Sequence, residues 1–140
     1  MAWVVDSCVL LDLLIPDPNF AEAALTCLNR YSAEGLVVSP ITYLELGPAF
    51  CGDTAQQDAF LREKKVRGIK SWEVADTDAS YQLWHDCVLR KRRGLAPKRP
   101  IADALIAGFA MRWQGLITRN VDDFRVISPT LPLIDPTHLS

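Results

Sequence analysis

The sequence lacks both a cysteine framework and a histidine-rich motif. Its four cysteines, Cys8, Cys27, Cys51 and Cys87, are irregularly spaced with no CxxC pair, which argues against a zinc site or a disulfide scaffold. They are expected to be small, reduced residues of the core or its margin. The two histidines, His85 and His138, lie far apart with no ligand motif beside either, and neither is a favoured catalyst. No apolar run approaches the roughly 18 residues of a membrane span, because Asp6, Asp12, Glu45 and Asp103 interrupt the candidates. The N-terminus has neither a basic leader nor a small-residue cleavage site, so a cytoplasmic protein is expected. There is no internal repeat and no low-complexity linker. The 140 residues, 49% hydrophobic and 23% charged, fit one ordered domain spanning 1–140.

The net charge of −2 hides a strong asymmetry. Residues 1–61 hold one base, Arg30, against eight acids, a net −7, whereas residues 62–140 hold fourteen bases against nine acids, a net +5. A basic half of this kind suits contact with a polyanion.

Hydrophobic periodicity and cap signals give alternating strands and helices. Trp3–Val5 is a short buried strand, followed directly by a helix over Ser7–Ile15 that Pro16 closes. Asp17 with Pro18 reads as a cap opening a helix with Ala21, Ala24, Leu25 and Leu28 on its apolar stripe, ended by Gly35. Leu36–Val38 is a second strand, and Ser39-Pro40 caps a helix carrying Tyr43, Leu44 and Glu45, which Gly47-Pro48 bends or breaks. Thr54 to about Arg67 is helical by composition, Lys70–Ala75 is a third strand, and Asp76-Thr77 caps a long helix to about Arg93. A basic loop leads to a helix from Pro100 that ends at Gly115, and Leu116–Thr118 is a fourth strand, with an edge strand at Val126-Ile127 or Leu133-Ile134. This alternation implies an α/β fold with a central parallel sheet covered by helices on both faces. In such folds the ligand crevice lies beyond the carboxyl ends of the strands.

Several acids fall at that edge. Asp6 follows the first strand, Glu45 lies on the helix after the second, and Asp103 sits in the first turn of a helix whose interior, Ala104 to Met111, carries no charge. The loop after the fourth strand reads Thr118-Arg119-Asn120-Val121-Asp122-Asp123-Phe124. Each acid alone has a simpler reading: Asp6 as a helix cap, Glu45 as a solvated residue, Asp103 as a favourable charge at a helix N-terminus. Together they point to a divalent-metal site, because a carboxylate set in an apolar segment loses hydration unless a proton, partner or metal compensates.

In order and spacing, these segments resemble the PIN-domain family of metal-dependent nucleases, and the short single-domain length is similar to its VapC toxin branch. The resemblance covers essentially the whole chain: the hydrophobic-Asp-Ser start, Leu-Glu-Leu in the third helix, Ile-Ala-Asp-Ala-Leu-Ile-Ala, and Thr-Arg-Asn-x-x-Asp-Phe. It implies a PIN-like three-layer fold, with a central parallel sheet flanked by helices, and Asp6 and Asp103 as the core ligands of Mg²⁺ or Mn²⁺. Glu45 would be a second-metal or water-orienting carboxylate, Asp123 a further catalytic acid, and Ser7, Thr118 and Asn120 supporting residues. The family often has an acid where Asn120 stands; Asn120 can offer a neutral oxygen, Asp123 can supply the charge, and Asp122 can face solvent. The resemblance further implies an endoribonuclease, the toxin of a type II toxin–antitoxin pair, with an RNA substrate, a small antitoxin partner and a homodimer.

The residue types suit that chemistry. Mg²⁺ is a hard ion that prefers oxygen ligands and retains waters, so a few carboxylates plus a substrate phosphate form its natural site. A bound ion lowers the pKa of an attacking water, and a second can stabilise the leaving oxygen in displacement at phosphorus. Arg90, Lys91, Arg92, Arg93, Lys98 and Arg99 place six bases within ten residues just before Asp103, a candidate contact for RNA phosphates. Arg62, Lys64, Lys65, Arg67 and Lys70 form a second cluster whose simplest reading is a solubilising face. Trp72, Trp84 and Trp113 could stack on bases, with core burial the better expectation for each. Two alternatives stand beside the nuclease. A metal-dependent phosphohydrolase of similar architecture would be expected to show an acidic pair at the first strand, where this chain has Asp6-Ser7-Cys8. A catalytically decayed nucleic-acid-binding module is suggested by Asn120.

Overall fold

The computed structural model describes residues 1–91 and 100–139, without the side chains of residues 90, 91 and 100. Five short parallel strands form one sheet in the order β3-β2-β1-β4-β5. They are β1 (Trp3–Val5), β2 (Leu36–Val38), β3 (Val66–Gly68), β4 (Gly115–Ile117) and β5 (Leu133–Ile134). The helices are α1 (Ser7–Leu14), α2 (Ala21–Tyr31), α3 (Pro40–Glu45), α4 (Thr54–Glu63), α5 (Val74–Lys91), α6 (Pro100–Ala110) and α7 (Val121–Ile127). Strand order reverses at β1: the chain moves outward through β2 and β3 on one side, then through β4 and β5 on the other.

Side chains of successive strand residues point to opposite faces, and the core divides accordingly. Val4, Val37 and Leu116 pack in one cluster with Leu83, Ala104, Phe109 and Phe124 of α5, α6 and α7. Trp3, Val5, Leu36, Val38 and Ile117 pack in the other with Val9, Leu10, Leu28 and Leu61 of α1, α2 and α4. The central strands are apolar on both sides because helices cover both faces. Short α3 crosses the end of the sheet, with Ile41 packed against the first cluster and Tyr43 against the second.

The differences from the sequence reading are local. Asp17 does not open α2: its carboxylate accepts from the Asn19 N–H (2.8 Å) in a turn, and α2 starts at Ala21 with no side-chain cap. The third strand is Val66–Gly68, not Lys70–Ala75; Lys65 at φ +62° ends the α4 segment and turns the chain into the sheet. Gly115, expected only to stop α6, begins β4, and Thr118 lies just beyond it. The stretch after Asn120, read as a loop, folds as α7, which absorbs Val126-Ile127 and leaves Leu133-Ile134 as the edge strand. Asp76 lies within the first turn of α5, where Arg112 grips it at 2.9 and 3.0 Å. All four cysteines are free thiols, and no helix among the described residues is long and apolar enough to cross a membrane.

Candidate active site

The register aligns Val5 with Ile117 and Val38 with Gly68, so the strands end at one level and their next residues share one rim. Asp6 and Thr118 follow the two strands flanking the point where strand order reverses, the usual place for a ligand crevice in an open parallel sheet. Asp6 keeps an extended backbone (φ −76°, ψ 152°), so period-two alternation carries its side chain toward the α6 face, as for Val4. A helix that returns to a parallel strand runs back along the sheet, so α6, which leads into β4, begins at the same rim. Asp103 lies in its first turn.

Asp6 is buried, and its carboxylate is held from three sides. Thr118 Oγ1–H donates to Oδ2 at 2.7 Å, the Ser7 backbone N–H donates to Oδ1 at 2.8 Å, and the Cys8 thiol reaches Oδ2 at 3.4 Å. Burial nevertheless pushes the Asp6 pKa above the ordinary aspartate value; the hydrogen bonds from Thr118 and Cys8 oppose that rise, and the negative charge of Glu45 adds to it. The charge of Glu45 is thus felt at Asp6. Cys8 is pushed up to about 12 by burial and by the Asp6 charge, so it stays a thiol donor at neutral pH.

Thr118 itself is fully committed. It donates to Asp6 and accepts from the Asn120 N–H at 3.0 Å, so its hydroxyl orients Asp6 directly. Ser7 contributes its backbone N–H, and its hydroxyl makes no hydrogen bond among the described residues. Asn120 is the N-cap residue of α7, and Asp122 and Asp123 occupy that helix's first turn. Asp122 lines a separate cavity with Arg119, Arg125, Asp135 and His138. Glu45 and Asp103 are half-buried, and both make further interactions. Among the described residues, no three His, Cys, Asp or Glu side chains come together closely enough to form a metal-binding cluster. The candidate phosphate-binding bases Arg92, Arg93, Lys98 and Arg99, and the side chain of Arg90, lie outside the described residues.

One part of the site was missed in the sequence. Buried Asp12 on α1 receives a two-pronged grip from Arg119, at 2.6 Å to Oδ2 and 3.0 Å to Oδ1. The guanidinium also lies 4.1 Å from the centre of the Phe20 ring. This clamp fixes the residue after Thr118 against the helix that follows Asp6, and so sets the geometry of both. Only half of the signal was legible: Asp12 interrupts an apolar helix just as Asp103 does, but nothing in the sequence marks Arg119 as its partner.

No protein-family model matches the sequence, and no curated protein matches it. Solved structures do match in fold. A chain of VapBC2 from Rickettsia felis, crystallised with a promoter DNA fragment, aligns with a TM-score of 0.70 at 18% identity, over 96% of this chain and 98% of that one. A chain of FitAcB from Neisseria gonorrhoeae aligns with a TM-score of 0.71 at 19% identity, over 97% and 99%. A chain of VapBC-1 from nontypeable Haemophilus influenzae gives 0.69 at 21%, over 99% and 100%. Five parallel strands between two helical layers, matched over nearly the whole length of these chains, give this protein the PIN-like α/β fold.

Proposed function

We propose that the protein is a VapC-like toxin, a divalent-metal-dependent endoribonuclease held in check by a small cognate antitoxin and working in the cytoplasm as a homodimer. The observation that carries this reading is Asp6: a buried carboxylate at the reversal point of a parallel sheet, oriented by Thr118 and crowded by the charge of Glu45. Folding does not favour such an arrangement, and a cation would relieve it. The donor set fits a hard ion, since Asp6, Glu45, Asp103, Asn120 and Asp123 all offer oxygen. Mg²⁺ is commonly held by one or two carboxylates, with waters and substrate phosphate completing the shell, so a three-carboxylate cluster is not required.

Asp6 and Asp103 would hold the ion, and Glu45 would share it or orient the attacking water. When bound, the ion supplies Lewis acidity toward the phosphodiester and makes the attacking water more acidic. Thr118 and the Ser7 N–H keep the Asp6 carboxylate in place, and the Asp12–Arg119 clamp holds Thr118. The protein-assembly part of the reading is supported by the fold shared with chains of VapBC and FitAcB complexes.

The test is cleavage of defined single-stranded RNAs by purified protein with and without Mg²⁺ or Mn²⁺. Asp103→Asn keeps the shape and one oxygen but removes the charge, so cleavage should fall at least 100-fold while melting temperature and RNA binding persist. Metal-independent cleavage, or full activity in a verified Asp103→Asn preparation, would refute this mechanism.

A further inference from the structure

Three bases of the second cluster, whose simplest sequence reading is a solubilising face, line a groove that runs along the β3 edge from the end of α4 and reaches the Asp6 rim at Gly68–Lys70. The β3 edge, which among the described residues pairs only with β2, and the end of α4 enclose a cavity lined by Arg62, Arg67, Gly68 and Lys70. Arg62, Arg67 and Lys70 are exposed, and neither arginine makes an ion pair among the described residues. Asp58, the one acid in the lining, is already engaged, accepting from Tyr43 Oη–H at 2.7 Å and from Lys70 at 3.5 Å. Lys70 also lines an adjoining apolar cleft with Pro40, Tyr43 and Leu44 on α3. The two hollows therefore meet at Lys70.

This continuity depends on Gly68. A Cβ there would lie 3.3 Å from the Tyr43 ring, so the absent side chain lets the ring seat against the end of β3. Beyond Tyr43 the cleft reaches Leu44, 71% exposed and immediately before Glu45. Parallel strands put the end of β3 on the same rim as Asp6, two strand spacings or about 10 Å away. A basic trough that passes onto an apolar shelf beside a catalytic acid matches single-stranded RNA: arginines take phosphates, and the shelf takes the face of a base. The charge complementarity is specific to a polyanion, and the apolar shelf favours an unpaired strand.

We propose that the Arg62–Arg67–Lys70 groove and the Pro40–Leu44 shelf form a subsite for single-stranded RNA, which leads the strand to Glu45. The proposal rests on the nuclease reading, and its test separates the two. Binding of a labelled RNA oligonucleotide is measured in the Asp103→Asn background, where turnover does not interfere. Arg62→Gln with Arg67→Gln should weaken binding at least tenfold at about 0.1 M salt, on the expected loss of two phosphate contacts. The slope of log affinity against log salt should shrink by about 1.4, at roughly 0.7 per phosphate for a single strand. Arg125→Gln, the same type of charge loss on α7, should change binding less than twofold. Photo-crosslinking with thiouridine-substituted RNA should label residues 40–44 or 62–70.

Unchanged affinity in a folded Arg62→Gln, Arg67→Gln protein would overturn the subsite even if the wild type cleaves RNA. Tight binding of an acidic peptide at these arginines, without loss of RNA affinity, would overturn it in favour of a protein partner on the β3 edge. If the wild type cleaves no RNA but binding still depends on these arginines, the subsite stands and the nuclease reading fails.

Discussion

Among the described residues, two buried aspartates, Asp12 and Asp76, are paired with arginine, and a third, Asp6, is not. Asp76 is fully buried and receives two hydrogen bonds from Arg112, whose guanidinium also lies about 5 Å from the Phe109 and Trp113 rings. Burial alone would raise the Asp76 pKa; the Arg112 hydrogen bonds and charge, with the Glu73 backbone N–H, outweigh it and hold the carboxyl below the usual range. A depressed pKa gives stability that is present above the unfolded value of 3.8 and is lost as pH falls through the folded value. Arg112→Met should therefore cost about 3 kcal/mol at pH 7, because it strands a buried charge. In that variant Asp76 takes up its proton at higher pH, so the deficit should shrink toward pH 4. Urea unfolding of both proteins at the two pH values measures this, and a deficit independent of pH would show that packing, not charge, is what Arg112 supplies.

At the scale of elements, α5 and α6 pack backbone against backbone where Ser80 meets Gly108. A Cβ on Gly108 would come within 2.0 Å of Ser80 Oγ and 2.7 Å of its backbone nitrogen. The side-chain oxygen can move aside, but the backbone cannot without shifting the helix. Gly108→Ala should cost about 2 kcal/mol net, because overpacking exceeds the roughly 1 kcal/mol that alanine gains over glycine in a helix. The melting temperature should fall by about 8 °C, and adding Ser80→Gly should restore only part of it. An unchanged melting temperature for Gly108→Ala would contradict so close a crossing. Nothing in the sequence marked Gly108 for this role, since the contact joins positions 28 residues apart. The same limit explains the other differences. The strands with apolar triplets, Trp3–Val5 and Leu36–Val38, were legible because burial on both faces demands such runs. Val66–Gly68 was not, because an edge strand with Arg67 exposed has no such run and its place is set by pairing with β2. Asp6, Glu45 and the Thr118 segment were legible as a rim because topology alone brings strand ends together. The Asp12–Arg119 clamp needed the tertiary pairing itself.

For the whole molecule, the candidate site and the stability of the fold are set against each other. The raised pKa of Asp6 means that its charged form is disfavoured in the folded protein: burial acts first, and Glu45 adds to it despite the Thr118 and Cys8 hydrogen bonds. A raised carboxyl pKa lowers stability as pH climbs above the unfolded value of 3.8, so at neutral pH the ionisable group of Asp6 costs the metal-free protein stability. Asp6→Asn removes that charge while keeping a polar group for Thr118 and Ser7. Its metal-free melting temperature should therefore equal or exceed that of the wild type. Mg²⁺ or Mn²⁺ should distinguish the two proteins. An ion bound only by the folded state adds about 2.7 kcal/mol at 100 times its dissociation constant, or about 10 °C for a chain of this size. The wild type should show that rise, and Asp6→Asn should show almost none. Scanning calorimetry across a metal titration reads both arms. An equal rise in Asp6→Asn would place the ion away from Asp6, and a flat response in both proteins at millimolar metal would remove the ion from the substrate-free site. The paired pattern, a stabilised variant that no longer responds to metal, would identify Asp6 as a residue whose charge the fold tolerates for the sake of the ion it holds.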